Sequence, residues 1–221
     1  MCNRYRLRAT PDAVMAFFNL SHDARLPVIT AEYFPGRPVP VVCQPGGVRQ
    51  LQEMTWGFPP LKGKTPINNT RCESAAASPY WKPHLGQRCV FPLTAAIEWQ
   101  HQINPQTGEL RKVPHLIRFR DDRLAAVAGI YGTGSGSACC SMMTCRANRF
   151  WSTIHNAKPD DPRMVCFLLQ PEAIDAWLDP NPPYETVRDL LRAVPDEADL
   201  LIAQPNSDPP PGAIARNDMF G

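Results

Sequence analysis

The residue whose chemistry stands apart is the second one. Removal of Met1 would leave Cys2 as the amino terminus, with an α-amine and a thiol on adjacent carbons of one residue. The amine can add to an aldehyde as a Schiff base, and the thiol can close on the same carbon as a five-membered thiazolidine. No other residue offers that pair of nucleophiles. Reference pKa values of about 7.7–8.0 for the amine and about 8.5 for the thiol leave both with a reactive fraction near neutral pH. Taken alone, a cysteine at position 2 is more often the second residue of an ordinary start. The chemistry requires a polar pocket supplied from elsewhere in the chain.

The chain of 221 residues is long enough for one full core or two small ones. Its hydrophobic content of 43% and charged content of 20% suit a soluble globular protein. The longest apolar runs fall short of a membrane span, and no apolar h-region follows the basic amino terminus, so a cytoplasmic protein without secretory signal is expected. In that compartment the cysteines are thiols. Cys139, Cys140 and Cys145 lie close together, but there is no CxxC pair and no histidine at finger-like spacing, so they read as small buried hydrophobes and no metal is expected. The net charge of +2 hides an asymmetry: residues 171–221 hold ten acidic residues and three arginines, leaving a basic excess of nine in residues 1–170. A body so charged attracts polyanions, although a solvated surface would carry the same charge.

The elements that must position Cys2 are mostly strands. Arg4 to Arg8 alternates basic with apolar residues, a strand pattern. Thr10-Pro11-Asp12 starts a short helix whose apolar face is Val14, Met15, Phe17 and Phe18. Val39–Val42, Arg49–Trp56, Arg88–Trp99, Val113–Phe119, Leu124–Tyr131, Ser141–Cys145 and Met164–Leu169 read as further strands. Gly46-Gly47 reads as a turn, Phe58–Leu61 as irregular because of its prolines, and Gln102–Lys112 as a hairpin tip. Ile67–Ser74 reads as a polar surface segment and Gly132–Ser137 as a flexible loop. Helices are expected at Pro171–Leu178 and Tyr184–Ala193, and a Pro-rich disordered tail from about Gln204. The expected class is α+β: one β-rich domain over residues 2–196 with an antiparallel, barrel-like sheet core and short flanking helices, then an acidic, Pro-rich tail over 197–221.

Five short blocks in order carry a resemblance: Met1-Cys2-Asn3-Arg4-Tyr5, Met54–Pro59, Asn69–Glu73, Arg88–Pro92 through Glu98-Trp99, and Ala147-Asn148 with Ile154-His155 and Arg163-Met164. With them the chain resembles the SRAP family, whose members covalently trap abasic sites in single-stranded DNA. The resemblance implies that Cys2 is the cross-linking nucleophile and that Asn69 positions the amino terminus and the sugar. It implies that Glu98 shuttles protons during Schiff-base formation and that His155 assists sugar ring opening and proton transfer. Read without the family, Glu98 between Ile97 and Trp99 is a solvent-facing strand residue, His155 a loop or cap residue and Asn69 a turn residue. The resemblance also implies phosphate contacts by Arg4, Arg71 and Arg163, and Trp99 offers a stacking face to a base. A structural Arg71–Glu73 bridge has equal claim on Arg71.

The chain departs from the family at Asn3, where Gly is usual, and at Leu93–Ile97, where Leu-Thr-Ala-Ala-Ile replaces Ala-Asp-Gly-Phe-Tyr. It also inserts Ala157–Pro162 between the histidine and its Arg-Met. The expectation is a monomeric, cofactor-free abasic-site processing protein that forms a thiazolidine with DNA, with lyase activity when the Schiff base fails to cyclise. Its partner is single-stranded DNA with abasic sites, so it would join the nucleoid when bound to damage. Two other readings stay open. One is an N-terminal-nucleophile hydrolase or peptidase, with Cys2 attacking an amide. The other is a DNA-binding module whose chemistry has drifted.

Overall fold

Short runs rich in Val, Ile, Phe and Cys, punctuated by proline and glycine, favour many strands and few helices. The computed structural model describes residues 2–20, 32–134, 136–195 and 201–205. Its strands are β1 (Tyr5–Arg6), β2 (Glu32–Tyr33), β3 (Pro38–Cys43), β4 (Gln50–Trp56), β5 (Asn69–Arg71), β6 (Arg88–Leu93), β7 (Ala95–Ile103), β8 (Leu110–Phe119), β9 (Ala125–Gly134), β10 (Ser137–Arg146), β11 (Arg163–Val165), β12 (Phe167–Leu168) and β13 (Leu201–Pro205). The α-helices are α1 (Pro11–Phe18), α2 (Cys72–Ala75), α3 (Arg149–Ile154), α4 (Pro171–Leu178) and α5 (Tyr184–Val187).

Five strands close on themselves. In the order β4-β3-β6-β9-β10 each pairs antiparallel with the next, and β10 returns to β4 in parallel through Cys139↔Thr55 and Cys140↔Trp56. Beyond that seam β10 runs on between β5 and β11. The other sheet is open and antiparallel, in the order β13-β8-β7-β1-β2. Tyr5 joins the two: its ring stacks on Tyr33 and meets Trp56 and Phe91 edge-on. Such aromatic contacts add about 0.5–1.5 kcal/mol each beyond the area they bury. Gly129 shows how tightly the barrel is filled. A Cβ there would lie 2.4 Å from the Phe91 ring and 3.0 Å from the Ser141 carbonyl.

Helix ends follow their sequence signals. Thr10 caps α1 by accepting from the Ala13 N–H, with Pro11 in the first turn. Asn148 caps α3 by accepting from the Trp151 N–H at 2.7 Å. The buried Arg88 guanidinium donates to the carbonyls of Trp177, Asp179 and Pro182, satisfying the C-terminal end of α4.

The structure differs from the sequence reading in several places. Ile67–Ser74 is a surface segment only in part: Arg71, Glu73 and Ser74 are exposed, but β5 pairs with β10, and Asn69 and Thr70 are buried. Polar residues are stable there because they satisfy one another, with the Thr70 and Ser141 hydroxyls 2.9 Å apart and the Thr144 hydroxyl donating to the Thr70 carbonyl. Gly132–Gly134 and Ser137 belong to strands and not to a loop, since β9 and β10 pair as far as Gly134↔Ser137. The helix expected over Tyr184–Ala193 stops at Val187 and tightens into a 3-10 turn over Arg188–Leu190. Leu201–Pro205, assigned to the tail, is an edge strand on β8; the rest of that tail lies outside the described residues.

Candidate active site

The site is built around the segment that leads into β1. Tyr5 pairs with Ala96 of β7, and the Arg4 carbonyl accepts from the Ile97 N–H at 2.9 Å, a register that brings Asn3 alongside Glu98. Cys2 is buried. Its carbonyl accepts from two side-chain amides, Asn69 Nδ2 at 2.7 Å and Asn68 Nδ2 at 3.0 Å, and its thiol points to the Arg4 carbonyl at 3.4 Å. The parallel pairing of β5 with β10 therefore fixes the amino-terminal segment from below.

Asn3, Glu98, Trp99, His101, Lys112, His155 and Ala157 line one cleft of about 290 Å³ above that segment. Glu98 is 2% exposed, so the expectation of a solvent-facing strand residue is overturned. Burial lifts its carboxyl to about 7, against the opposing pull of the positive amino terminus. His155 ends α3, and burial followed by the amino-terminal charge lowers its imidazole to about 4. At neutral pH His155 is therefore neutral. Its Nδ1 accepts from the Arg163 N–H at 3.3 Å, which places the remaining ring proton on Nε2. Burial, with the Glu98 charge adding to it, pushes the Cys2 thiol far above its ordinary value, so it is protonated at rest.

Two acceptors in this group are buried without a hydrogen-bond partner, Asn69 Oδ1 and Glu98 Oε1. Buried acceptors are normally satisfied, and an orphaned pair beside Cys2 suits the donor-rich amine that loss of Met1 would create there. The amino-terminal charge acts on Cys2, Glu98 and His155 alike. The fold thus gathers Cys2, Asn69, Glu98 and His155, the first and last of which are 153 positions apart in sequence.

The residues expected at phosphates are placed differently. Arg4 is buried and pairs with Glu32, which also holds Arg6 at 2.7 Å. Arg71 pairs with Asp161 at 2.6 Å and not with Glu73; Glu73 instead holds Arg163 at 2.7 Å. Arg163 also approaches Asp161, at 3.5 Å, and is otherwise buried. The insertion at 157–162 therefore supplies a carboxylate to both Arg71 and Arg163. Trp99 is half-buried at the cleft.

Sequence reasoning missed Asn156. Its side-chain amide closes a two-bond ring with the backbone of His101, accepting from the N–H at 2.7 Å and donating to the carbonyl at 2.9 Å. Gln100 adds a second tie, from its Nε2 to the Thr153 carbonyl at 2.8 Å. Together they hold the end of α3, and so His155, against the strand that carries Glu98. Asn156 has no sequence signal, because its partner is a backbone 55 positions away. Asn68 had one: the Asn68-Asn69 doublet, read as a turn, is two donors on one carbonyl. Among the described residues no group of three or more His, Cys, Asp and Glu is arranged to hold a metal ion.

The fold and this cleft define an SRAP-type domain. The chain belongs to the SOS response associated peptidase (SRAP) family, whose model matches residues 1–205. An abasic site processing protein from Saccharomyces cerevisiae is 27% identical over 175 residues, covering 72% of this chain and 44% of its own length, so the chain spans under half of that relative. Solved structures share the fold. A Bacteroides thetaiotaomicron protein matches with TM-score 0.73 and 22% identity over 92% of this chain and 91% of its own. A Bordetella bronchiseptica protein matches with TM-score 0.72 and 23% identity over 92% and 99%. A phage-related protein of the same organism gives 0.73 and 19% over 94% and 95%.

Proposed function

We propose that the Met1-free protein processes abasic sites in single-stranded DNA by capturing their aldehyde on Cys2 as a thiazolidine. The observation that carries this reading is the pair of orphaned buried acceptors beside Cys2, Asn69 Oδ1 and Glu98 Oε1; the amino-terminal charge, which Met1 carries here and loss of Met1 would hand to Cys2, already acts on Cys2, Glu98 and His155. Membership of a family shared with a yeast protein named for abasic site processing supports the coarser part of this reading, that abasic sites are what is processed.

The residues divide the work as follows. The Nε2–H of neutral His155 donates a hydrogen bond to the sugar oxygen as the ring opens. The freed amine adds to the aldehyde carbon, and Glu98 in its acid form protonates the departing hydroxyl, so one water leaves and a protonated imine (iminium) remains. Glu98, now a carboxylate, takes the thiol proton as Cys2 Sγ bonds to the imine carbon, closing the ring. A carboxyl that titrates near 7 populates both forms at neutral pH, where one group can serve each step. Holding amine and thiol on one residue makes the closure intramolecular. If a sugar proton is lost before the thiol adds, the imine instead cleaves the strand by β-elimination.

Intact-mass measurement first establishes loss of Met1. The protein is then incubated with a uracil-containing oligonucleotide pretreated with uracil glycosylase. A heat-stable shifted band is expected, absent in Cys2→Ala. Cys2→Ser keeps the amine and should leave only an adduct trapped by borohydride. No band from Met1-free wild type ends this reading.

A further inference from the structure

The β7–β8 hairpin extends past the segment that β1 covers. Residues directly opposite in an antiparallel ladder share a face. Trp99↔Pro114, His101↔Lys112 and Ile103↔Leu110 therefore form one continuous face, with steps of about 6.8 Å between pairs. The lower part of this face borders the cleft, since Trp99, His101 and Lys112 line it, while Glu98 reaches it from the other face of β7. The upper part is apolar and bare: Ile103 is 71% and Leu110 59% exposed. The turn beyond holds its shape, because Asn104 Oδ1 accepts from the Gln106 N–H and Gly108 takes a positive φ of 71°.

Charge sorts the candidates for binding a polyanion. Arg4, Arg71 and Arg163 each have a carboxylate partner. Lys112 is exposed at the cleft and, among the described residues, makes no ion pair. An uncompensated ammonium between an indole and an aliphatic pair matches a strand that alternates phosphates with flat apolar bases.

We propose that this face of the hairpin holds the single-stranded nucleic acid that flanks the reacting nucleotide. Lys112 takes a phosphate and the Ile103–Leu110 pair packs against the base beyond the one at Trp99. The proposal rests on the reading that the cleft accepts a nucleic-acid lesion, and it names the surface that carries the neighbouring strand.

The test uses an undamaged fluorescent single-stranded oligonucleotide, so no covalent step enters. Lys112→Gln should weaken binding about three- to tenfold at moderate salt and flatten the slope of log K against log salt by about 0.7. The double variant Ile103→Ser/Leu110→Ser should weaken binding about tenfold and leave the slope unchanged. All three positions are exposed, and thermal melts check that the variants fold. Affinity and slope equal to wild type in both variants would overturn the proposal. So would sedimentation showing self-association that the double variant abolishes while strand affinity is unchanged, which would make the face a contact between copies. Variant-sensitive strand binding with no adduct at abasic sites would sink the capture chemistry and leave this surface standing.

Discussion

The five barrel strands and the five strands of the open sheet differ in how their edges end. In the barrel β10 returns to β4, so the ring has no free edge, and the polar groups beside its seam (Thr70, Ser141 and Thr144) hydrogen-bond to one another. In the open sheet, β7 is paired with Arg4 at Ile97 and with the Asn156 side chain at His101, and the cleft lies at the interval between them. Buried Glu98 sits in that interval with an unpartnered oxygen. Unsatisfied buried groups cost stability, and proteins keep them where function needs them. The closed region is built for stability, while the interrupted ladder leaves room for a reactant.

The largest effect should come from Glu98→Gln. It should slow adduct formation by about 10²–10⁴-fold in a single-turnover assay while stabilising the fold above neutral pH. Its carboxyl titrates at about 7 in the folded protein against an ordinary 4.5. The folded state therefore holds more protons than the unfolded chain between those values and loses stability as pH rises through that window, by up to about 3 kcal/mol. His155 runs the other way: lowered from 6.5 to about 4, it leaves the folded state with fewer protons, so stability is gained as pH rises from about 4 to 6.5. Melts from pH 4 to 8 should be flat in wild type and should rise, then level off above 6.5, in the Gln variant. The wild-type rate profile should bend near pH 7 and the residual rate of Glu98→Gln should lose that bend; a bend between pH 6 and 7 that survives in Glu98→Gln would mean that His155 titrates as an ordinary imidazole.

The barrel should respond in the opposite sense. Gly129→Ala pushes a methyl into Phe91 and the Ser141 carbonyl and should cost about 1–3 kcal/mol, read as a lowered denaturation midpoint. Adduct formation per folded molecule should stay unchanged. A Gly129 variant of normal stability but slow chemistry would break the division between the two regions.

What was legible in the sequence follows the same division. Of the barrel strands, β3 and β4 were read nearly to their ends, because apolar runs bounded by Gly and Pro are local signals, while β10 was read only over Ser141–Cys145 and Arg88–Trp99 ran together what Thr94 divides into β6 and β7. Cys2 was legible because amine and thiol on one residue are a property of that residue alone. Asn69, Glu98 and His155 were legible only through family blocks, since nothing local to Glu98 distinguishes a buried carboxyl from a surface one. Asn156, Lys112 and the closure of β10 onto β4 were not legible at all. Each depends on a partner brought close only by strand pairing, and the partners of Arg71 and Arg163 depend on where the 157–162 insertion folds.

Asn156→Ala tests whether the interrupted edge needs its side-chain tie. Without the two bonds to His101, the end of α3 keeps its Gln100 tie to β7 but loses the ring that fixes His155 relative to Glu98. The adduct rate at saturating DNA should fall about tenfold, with affinity for undamaged strand unchanged. Asn156→Gln, one methylene longer, should not restore it. A wild-type rate in the Ala variant would show that α3 is positioned by packing alone.

The smallest effect is expected at Asp161, where one carboxylate faces two guanidiniums at the rim of the site. Its oxygens lie 2.6 Å from Arg71 and 3.5 Å from Arg163, an arrangement that a phosphate could also adopt. Half-exposed ion pairs contribute little to stability, so Asp161→Asn should shift the melting midpoint by no more than a degree or two. If Arg71 engages the DNA backbone, the substitution removes a competitor, and affinity for single strands should rise about two- to fivefold with a steeper salt dependence. If binding instead falls or is unchanged, the carboxylate serves to orient Arg71. The hairpin's Lys112 would then be the principal phosphate contact at the cleft, which places the anion-binding function wholly on the open sheet.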